Sequence, residues 1–209
     1  MTRVADLDTQ LMVRVQEDDH SSFGLLLNRN RSIVLNYLSR MVANRAIAEE
    51  LAQDVFVRIY RSRRRYAPSA KFSTWLYRIT TNVALNHFRD EKRNNQNISL
   101  DVQDAAQVHL SAWDHAPLIE DRLVREVIAE QIRRAVRSLP PKQRAAVIMH
   151  KYDELDYAQI AKVLGCTPAA VKALMFRAYE TLRLRLRSLQ QIGGAGLTRR
   201  VDSPVDLMR

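Results

Sequence analysis

The sequence predicts an all-α protein built from two small helical domains joined by a flexible linker, the second domain carrying a helix-turn-helix. Apolar residues recur at the 3.6-residue period of a helix in most segments, and strand-like alternation is scarce. The 209 residues include only 5 glycines, and Gly193, Gly194 and Gly196 lie close to the C-terminus. The 6 prolines can all be placed at element boundaries, where proline does not disrupt a helix interior.

The distribution of charge divides the chain. The net charge is +10. Residues 61–93 hold nine Lys/Arg against two Asp/Glu, and residues 132–190 hold twelve against four, whereas residues 94–131 hold two against seven. Two basic blocks separated by an acidic segment indicate two modules that bind a polyanion. We therefore predict domains at 1–93 and 118–190, a linker at 94–117 and a disordered tail at 191–209.

Composition also excludes several classes of protein. Cys166 is the single cysteine, so a disulfide within the chain and a cysteine-based metal site are excluded, as is common for a reducing cytoplasm. No long apolar run and no leader-like N-terminus are visible, which predicts a cytoplasmic protein without membrane insertion. Paired carboxylates, a glycine-rich phosphate loop and a His-x-x-x-His spacing are missing. We expect neither enzymatic activity nor a cofactor or metal.

The first two helices follow from apolar spacing and capping residues. Leu11, Met12 and Val15 predict a short helix over residues 8–18 that covers the first domain. A longer helix is predicted to begin at Ser21 or Ser22, both good N-cap residues. Its apolar residues run as far as Met41 and are assigned to the core.

The third predicted helix, from the cap Asn44 to about Arg64, has more apolar surface than one buried face requires. Its core stripe comprises Ile47, Leu51, Val55 and Ile59. Further apolar bulk comes from Phe56, Val57 and Tyr60. This surplus indicates either a docking surface for a protein partner or a central helix buried on several sides. The pattern leaves both interpretations open.

Residues 70–89 form a helix with two different faces. Its core stripe is Phe72, Leu76, Ile79 and Val83. The opposite face carries Thr74, Arg78, Thr81 and Arg89, and the border carries Trp75 and Asn82. Cations, hydroxyls, an amide and a large ring together suit a single nucleic-acid strand, which offers phosphates, base edges and unstacked bases. A solvated face with a half-buried Trp is the alternative for the helix in isolation.

The neighbouring loop strengthens the nucleic-acid interpretation. Arg61, Arg63, Arg64 and Arg65 provide four cations within five residues. Helix solubility does not require such a density, so the loop is predicted to bind phosphate.

The second basic block predicts a helix-turn-helix over residues 157–187. Ile160, Ala161 and Leu164 bury one helix, Gly165 makes the turn, and Thr167 caps a helix that begins at Pro168. The outward positions of this second helix include Lys172, Phe176 and Arg177. Arg suits guanine edges, apolar groups suit thymine methyls, and Lys suits phosphate. Three acids ahead of the motif, Asp153, Glu154 and Asp156, are interpreted as favourable charges at a helix N-terminus.

Several segments in this order resemble bacterial RNA polymerase sigma factors of the extracytoplasmic-function (ECF) group. The segments are Ala48–Tyr60, Tyr66, Lys71–Ile79, Asn82, Ser138–Arg144 and the helix-turn-helix. The resemblance covers residues 6–93 and 120–189. It implies binding to core RNA polymerase and to promoter DNA, both as duplex and as the melted non-template strand. Regulation by an anti-sigma factor is common in this family, although no residue of the chain indicates it.

The resemblance also implies site residues. The surface that docks on the clamp helices of the largest polymerase subunit would comprise Gln53, Asp54, Val55, Phe56, Arg58, Ile59 and Tyr60. The minus-ten element would be opened, and a flipped base held, by Arg65, Tyr66, Ser69, Lys71, Phe72, Thr74, Trp75, Arg78 and Asn82. The minus-thirty-five element would be read by Thr167, Lys172, Phe176 and Arg177. The linker resembles the segment that threads toward the polymerase active cleft.

The recognition helix departs from the family pattern. Family members commonly carry Gly-Thr-Val-Lys-Ser-Arg where this chain has Ala169–Leu174, with Ala173 replacing Ser, and an Arg where Tyr179 stands. Either the minus-thirty-five sequence differs, or apolar and phosphate contacts contribute more.

Two other functions compete with that of a sigma factor. A free-standing helix-turn-helix regulator would bind duplex through residues 157–187 but would not use the base-stacking face of the first domain. A DNA-processing enzyme such as a recombinase would need a nucleophile constellation, and none is visible.

Overall fold

A computed structural model describes residues 6–68, 71–97 and 119–187. These residues form eight α-helices and one 3₁₀ turn, and they include no strand. The predicted all-α fold with a helix-turn-helix is confirmed. Within the described residues, no helix combines the length and apolar character needed to cross a membrane. Residues 6–97 are called the N-terminal half below, and residues 119–187 the C-terminal half.

The N-terminal half contains four α-helices. They are α1 (Leu7–Gln16), α2 (His20–Val42), α3 (Arg45–Arg61) and α4 (Phe72–Asn97), with the 3₁₀ turn Arg63–Arg65 between α3 and α4. Helix α2 packs against α1, α3 and α4. The apolar stripes of these helices meet in a core that includes Met12, Tyr37, Val55, Ile59 and Leu76, each at most 1% exposed.

Capping side chains fix the helix starts, and one of them differs from the sequence prediction. Asp6 caps α1 and Asn44 caps α3 by accepting from the backbone N–H groups of Thr9 and Ile47. The cap of α2 is Asp19, because its carboxylate accepts from the N–H groups of both Ser21 and Ser22. The two serines are therefore the first residues held by the cap. A carboxylate is the better acceptor there because the helix N-terminus carries partial positive charge.

The C-terminal half also contains four α-helices. They are α5 (Ile119–Arg137), α6 (Pro141–Lys151), α7 (Tyr157–Leu164) and α8 (Pro168–Arg185). Gly165 follows α7 with φ +64°, a left-handed conformation that favours glycine. Thr167 caps α8 by accepting from the N–H of Ala170 at 3.2 Å. Helices α7 and α8 thus form the predicted helix-turn-helix, and both pack on α6.

The two halves pack against each other. Helix α2 contacts α6, and α4 contacts both α6 and α7. Residues 145–149 of α6 are all 0% exposed, so this helix is buried around its whole circumference. A small domain on its own rarely buries a helix completely. The N-terminal half supplies part of the cover.

Several boundaries differ from the sequence expectation, including those of α1, which was predicted over residues 8–18 and spans Leu7–Gln16, and the start of α4, which was predicted at residue 70 and lies at Phe72. Helix α3 ends at Arg61, where the prediction extended it to about Arg64, because residues 63–65 form the 3₁₀ turn. Helix α4 continues to Asn97 and so includes the first four residues of the predicted linker. The linker beyond Asn97 and the predicted tail at 191–209 lie outside the described residues.

Candidate functional site

The exposed side of α3 lies between two grooves. The first groove, between α2 and α3, has a volume of about 520 Å³. Its walls are mainly apolar and are formed by Phe23, Leu27, Leu35, Ala52, Gln53, Phe56, Val57 and Tyr60, with Arg31, Glu49 and Arg61 at its edges. Phe23 and Tyr60 are in ring contact at 5.1 Å, and Tyr60 is also in hydrogen-bond contact with His20.

The second groove lies between α3 and α4 and is polar. It has a volume of about 420 Å³ and is lined by Leu51, Asp54, Arg58, Val83, Asn86, His87, Asp90, Glu91 and Asn94. The Arg58 guanidinium donates to the Asp54 carboxylate at 2.9 Å across one turn of α3. Because both side chains are largely exposed, this pair contributes little to stability. It holds the two charges at the rim of the groove.

The structure separates the predicted polymerase-docking residues into two classes. Val55 and Ile59 are 0% exposed and belong to the core, so the prediction that they form part of a contact surface is wrong. Phe56 is 8% exposed and forms part of the floor of the apolar groove. Gln53, Asp54, Arg58 and Tyr60 are accessible. Val57, which the resemblance did not select, is 44% exposed in the groove wall.

Three aromatic rings meet where the 3₁₀ turn leads toward α4. Trp75 lies 5.0 Å from Tyr66 and 5.8 Å from Phe72, measured between ring centroids. Thr9 of α1 anchors the group, because its Oγ1 accepts from the backbone N–H of Phe72 at 3.2 Å and from the Tyr66 hydroxyl at 3.4 Å. Burial raises the pKa of Tyr66. Only Trp75 of the three rings reaches the surface.

Several predicted minus-ten residues are therefore interior. Tyr66 is 4% exposed and Phe72 is 1% exposed, so both support the indole of Trp75 and cannot touch a strand directly. Thr81 was placed on the polar face, but it is buried and its hydroxyl is in hydrogen-bond contact with the Tyr37 hydroxyl at 2.9 Å. Two hydroxyl groups that hydrogen-bond each other can be buried in the core. The spacing of residues along the sequence does not distinguish such a buried hydroxyl from an exposed one.

The remaining predicted minus-ten residues form one face. Lys71, Trp75, Arg78 and Asn82 recur at the helical spacing, and their exposed or half-exposed side chains lie along the first turns of α4. Thr74 is half-buried beside them, and Arg65 is exposed on the preceding turn. Ser69 lies outside the described residues. The face extends for about 16 Å along the helix axis.

The arginine cluster at 61–65 is only partly free for phosphate. Arg63 donates to the Asp18 carboxylate at 2.6 Å and lies over the Tyr60 ring at 4.2 Å from its centroid. Arg64 contacts the same carboxylate at 3.1 Å but is otherwise exposed. Hydrogen bonds from Arg63 and Arg64 lower the pKa of Asp18. Arg63 thus secures the turn between α1 and α2, while Arg64 and Arg65 present cations to solvent.

Helix α8, the second helix of the helix-turn-helix, presents a continuous exposed face. Ala169, Lys172, Ala173, Phe176, Arg177 and Glu180 occupy it. Phe176 is 67% exposed, which is unusual for a ring with no covering element. Arg177 donates from Nε to the Ala173 carbonyl at 3.2 Å, leaving its other guanidinium nitrogens directed outward. Thr167 is exposed, but its hydroxyl is used as the helix cap.

Comparison with known proteins identifies both halves. The family models "Sigma-70 region 2" and "Sigma-70, region 4" match residues 26–94 and 129–182. The RNA polymerase sigma-H factor of Pseudomonas aeruginosa is 30% identical over 186 residues, which is 87% of this chain and 95% of that protein.

This chain belongs to the ECF group of RNA polymerase sigma factors. The ECF RNA polymerase sigma-E factor of Escherichia coli is 28% identical over 183 residues, covering 87% of this chain and 95% of that protein. Two solved structures share the fold. CnrH, in complex with the cytosolic domain of CnrY, has a TM-score of 0.63 at 19% identity and covers 88% of this chain and 99% of that one. RpoE of Bartonella quintana, in complex with the anti-sigma factor NepR, has a TM-score of 0.64 at 19% identity and covers 79% and 96%.

The sequence analysis did not identify the residues of α2 and α4 that face α3 across the two grooves. Phe23 and Leu27 of α2 line the apolar groove and are half-buried, although the sequence pattern assigned them to the core. His87 and Asp90 of α4 line the polar groove. The only sequence signal for these residues was their place just outside the main apolar stripes.

Proposed function

We propose that this sigma factor binds core RNA polymerase through α3, opens the minus-ten element with α4 and reads the minus-thirty-five element with α8. The observation that carries the proposal is the presence of three separate exposed surfaces of suitable chemistry on one chain. A free-standing duplex-binding regulator would require only α8.

The polymerase contact is assigned to the rim of the two grooves beside α3. At the apolar groove, Val57 and Tyr60 offer an apolar contact surface and Gln53 offers an amide. At the polar groove, Asp54 and Arg58 offer charged groups. An apolar groove beside charged side chains fits a helix of the partner protein. The apolar face of that helix would pack in the groove, and charged residues at the border of the face would pair with those at the rim. Val55, Phe56 and Ile59 support this surface from below.

Strand opening is assigned to the face formed by Lys71, Trp75, Arg78 and Asn82. Cations can follow the phosphates of a single strand while the indole stacks on an unpaired base. Arg65 extends the cationic part of this face. Tyr66 and Phe72 hold the indole in place, since both rings contact it from the core side.

Reading of the minus-thirty-five duplex is assigned to α8. Lys172 is suited to a phosphate, Arg177 to a base edge and Phe176 to a thymine methyl group. Thr167 contributes by fixing the N-terminus of α8, since its hydroxyl accepts from the N–H of Ala170. The small Ala169 and Ala173 leave room for the helix to approach the groove floor closely.

Reconstitution with bacterial core polymerase tests the proposal. Transcripts made on a fragment library of the source genome would be sequenced with and without the chain, and we expect new start sites that share upstream elements. Duplex binding in the absence of polymerase, with no new transcripts in its presence, would favour the free-standing regulator.

A pair of matched variants tests the docking surface. Val57→Asp places a charge in the wall of the apolar groove and is expected to weaken binding to core polymerase at least tenfold. Leu25→Asp is the control, because Leu25 is 56% exposed on α2 and does not line either groove. Equal binding by both variants in a titration with labelled core polymerase would exclude α3 as the docking surface.

A further inference from the structure

A small cavity lined by arginines lies between the end of α2 and helix α5. Its walls are formed by Ser39, Arg40 and Ala43 of the N-terminal half and by Arg133, Val136, Arg137, Ile148 and Tyr152 of the C-terminal half. The cavity has a volume of about 40 Å³. A water molecule needs about 10–15 Å³ of such space, so the cavity has room for about three waters or for a tetrahedral oxyanion. Its lining residues differ from those assigned to polymerase and promoter contacts.

The three arginines of the cavity have hydrogen-bond donors to spare. Arg133 donates from Nε to the Glu130 carboxylate at 2.9 Å. Arg137 lies 3.9 Å from the same carboxylate, a distance at which the charges attract but no hydrogen bond forms. Arg40 lies over the Tyr152 ring, 4.5 Å from its centroid, and donates no hydrogen bond to any residue that the structure describes. Since a guanidinium carries several N–H donors, most donors of this cluster have no acceptor among the described residues.

Positive charge is in excess around the cavity. The carboxylate of Glu130 is shared by three arginines of α5, namely Arg133, Arg134 and Arg137. Burial would raise the pKa of Glu130, but hydrogen bonds from Arg133 and Arg134 hold it below its usual range. The carboxylate of Asp153 partly balances the charge of Arg40. Because one acid serves three cations on the α5 side, Coulomb attraction favours a further anion in the cavity.

The carbonyl ends of α2 and α5 do not cancel this attraction. Free carbonyls at a helix C-terminus carry partial negative charge and would repel an anion. The half-buried Arg144 donates to the Met41 carbonyl at 2.6 Å and to the carbonyls of Arg137 and Leu139. Burial and the charge of Arg137 lower the pKa of Arg144 to about 10, so this guanidinium stays charged at neutral pH. Arg144 therefore offsets the helix ends and adds a further cation beside the cluster.

We propose that Arg40, Arg133 and Arg137 form a binding site for the phosphate group of a small phosphorylated molecule. Arginine suits phosphate because its planar fork of donors matches two oxygens of the anion at once. Phosphate offers several acceptor oxygens to cations that come from two sides, and the Ser39 hydroxyl in the wall provides one more donor. The inference goes beyond the proposed function and does not depend on it, because binding can be measured on the free protein.

Calorimetric titration of the full chain tests the site with inorganic phosphate, pyrophosphate and a nucleoside triphosphate. Ionic strength is held constant with sodium chloride, so that general screening does not change between samples. We expect one ligand per chain and mutual competition between the three ligands. Tighter binding of the nucleotide would identify a nucleotide phosphate as the ligand, whereas equal binding would identify free phosphate. Failure of all three to bind would overturn the proposal.

Matched arginine variants locate the site. Arg40→Gln and Arg133→Gln each remove a cation from one wall and should weaken pyrophosphate binding about tenfold or more, the factor expected for the loss of a charge-assisted hydrogen bond. Arg45→Gln is the control, since Arg45 pairs with Glu49 within α3 and does not line the cavity. Circular dichroism establishes that the variants stay folded. Equal affinity in all three variants would overturn the proposal.

Thermal unfolding and a competition with DNA complete the test. A ligand that binds only the folded protein raises its melting temperature. Pyrophosphate should therefore raise the melting temperature of the unaltered protein and of Arg45→Gln, and have a much smaller effect on Arg40→Gln. Equal rises in Arg40→Gln and Arg45→Gln would count against the site. Displacement of pyrophosphate by duplex DNA of random sequence, at the same ionic strength, would assign the arginines to the DNA backbone and overturn a small-molecule site.

Discussion

The side chain of Asp153 leads to a prediction about how stability depends on pH, because burial fixes the direction of its pKa shift. Its side chain is half-buried, and its Oδ2 atom is buried without a hydrogen-bond partner. Burial raises its pKa from 3.8 to about 6, and the charge of Arg40 and the Tyr77 hydroxyl only partly offset this effect. The protonated form therefore fits the folded protein better than the charged form does. Replacement by Asn keeps the shape of the side chain and removes the titration.

The magnitude follows from linkage between protonation and folding. A pKa that is higher in the folded state means that stability is lost as pH rises from the unfolded value through the folded one. The full difference of about 2 pKa units corresponds to a penalty of about 3 kcal/mol at pH 7.5. At pH 5 roughly half of this penalty remains. The free energy of unfolding of the unaltered protein, relative to Asp153→Asn, should therefore rise by about 1.4 kcal/mol between pH 7.5 and pH 5.

Urea unfolding followed by circular dichroism at both pH values measures this difference. Subtracting the variant cancels all other titrating groups, provided that the dependence of the unfolding free energy on urea is unchanged. Parallel pH profiles for the two proteins would refute the reasoning, as would a gain in the stability of the unaltered protein with rising pH. Parallel profiles would mean that Asp153 is solvated in the folded chain, whereas a gain with rising pH relative to the variant would mean that the folded chain stabilises its charged form.

Three further predictions concern single side chains. Trp75→Ala should weaken binding of the holoenzyme to a pre-melted minus-ten strand by about 1–3 kcal/mol, while binding to core polymerase stays constant; fluorescence anisotropy measures both. Arg177→Ala should cost about 1–3 kcal/mol at one base pair of the minus-thirty-five element in a competition assay, and a uniform loss over all sequences would mark a phosphate contact instead. Gly165→Ala should lower stability by about 1–2 kcal/mol through its φ of +64°, although no atom lies within 4 Å of an added Cβ; an unchanged melting temperature would contradict this.

The C-terminal half shows how much of a structure can be predicted from the sequence alone. Gly165, Thr167 and Pro168 each have a local role, since the turn, the cap and the first helical position depend on neighbouring residues only. The exposed set Lys172, Phe176 and Arg177 followed from one helical period once the buried stripe was known. These predictions succeeded because their physics acts over a few residues.

The surfaces of the N-terminal half were harder to predict. Val55 and Tyr66 were assigned to contact surfaces but are buried. Whether an apolar or aromatic side chain in a helix faces a partner or the protein's own core depends on which other helices surround it. Periodicity gives the angle around one helix and contains no information about the neighbours.

The helix-turn-helix, the Asn44 cap of α3 and the basic, aromatic composition of the exposed part of α4 were determined by the sequence itself. The tertiary structure alone decided that Trp75 is the accessible ring of its cluster, that Val57 lines a groove and that the two halves meet. One sequence feature does indicate that the two halves meet, because residues 145–149 of α6 are apolar without interruption. Arg144 could not be interpreted in the same way. Its carbonyl partners come from α2 and α5, and only the packing of those helix ends brings them to one guanidinium.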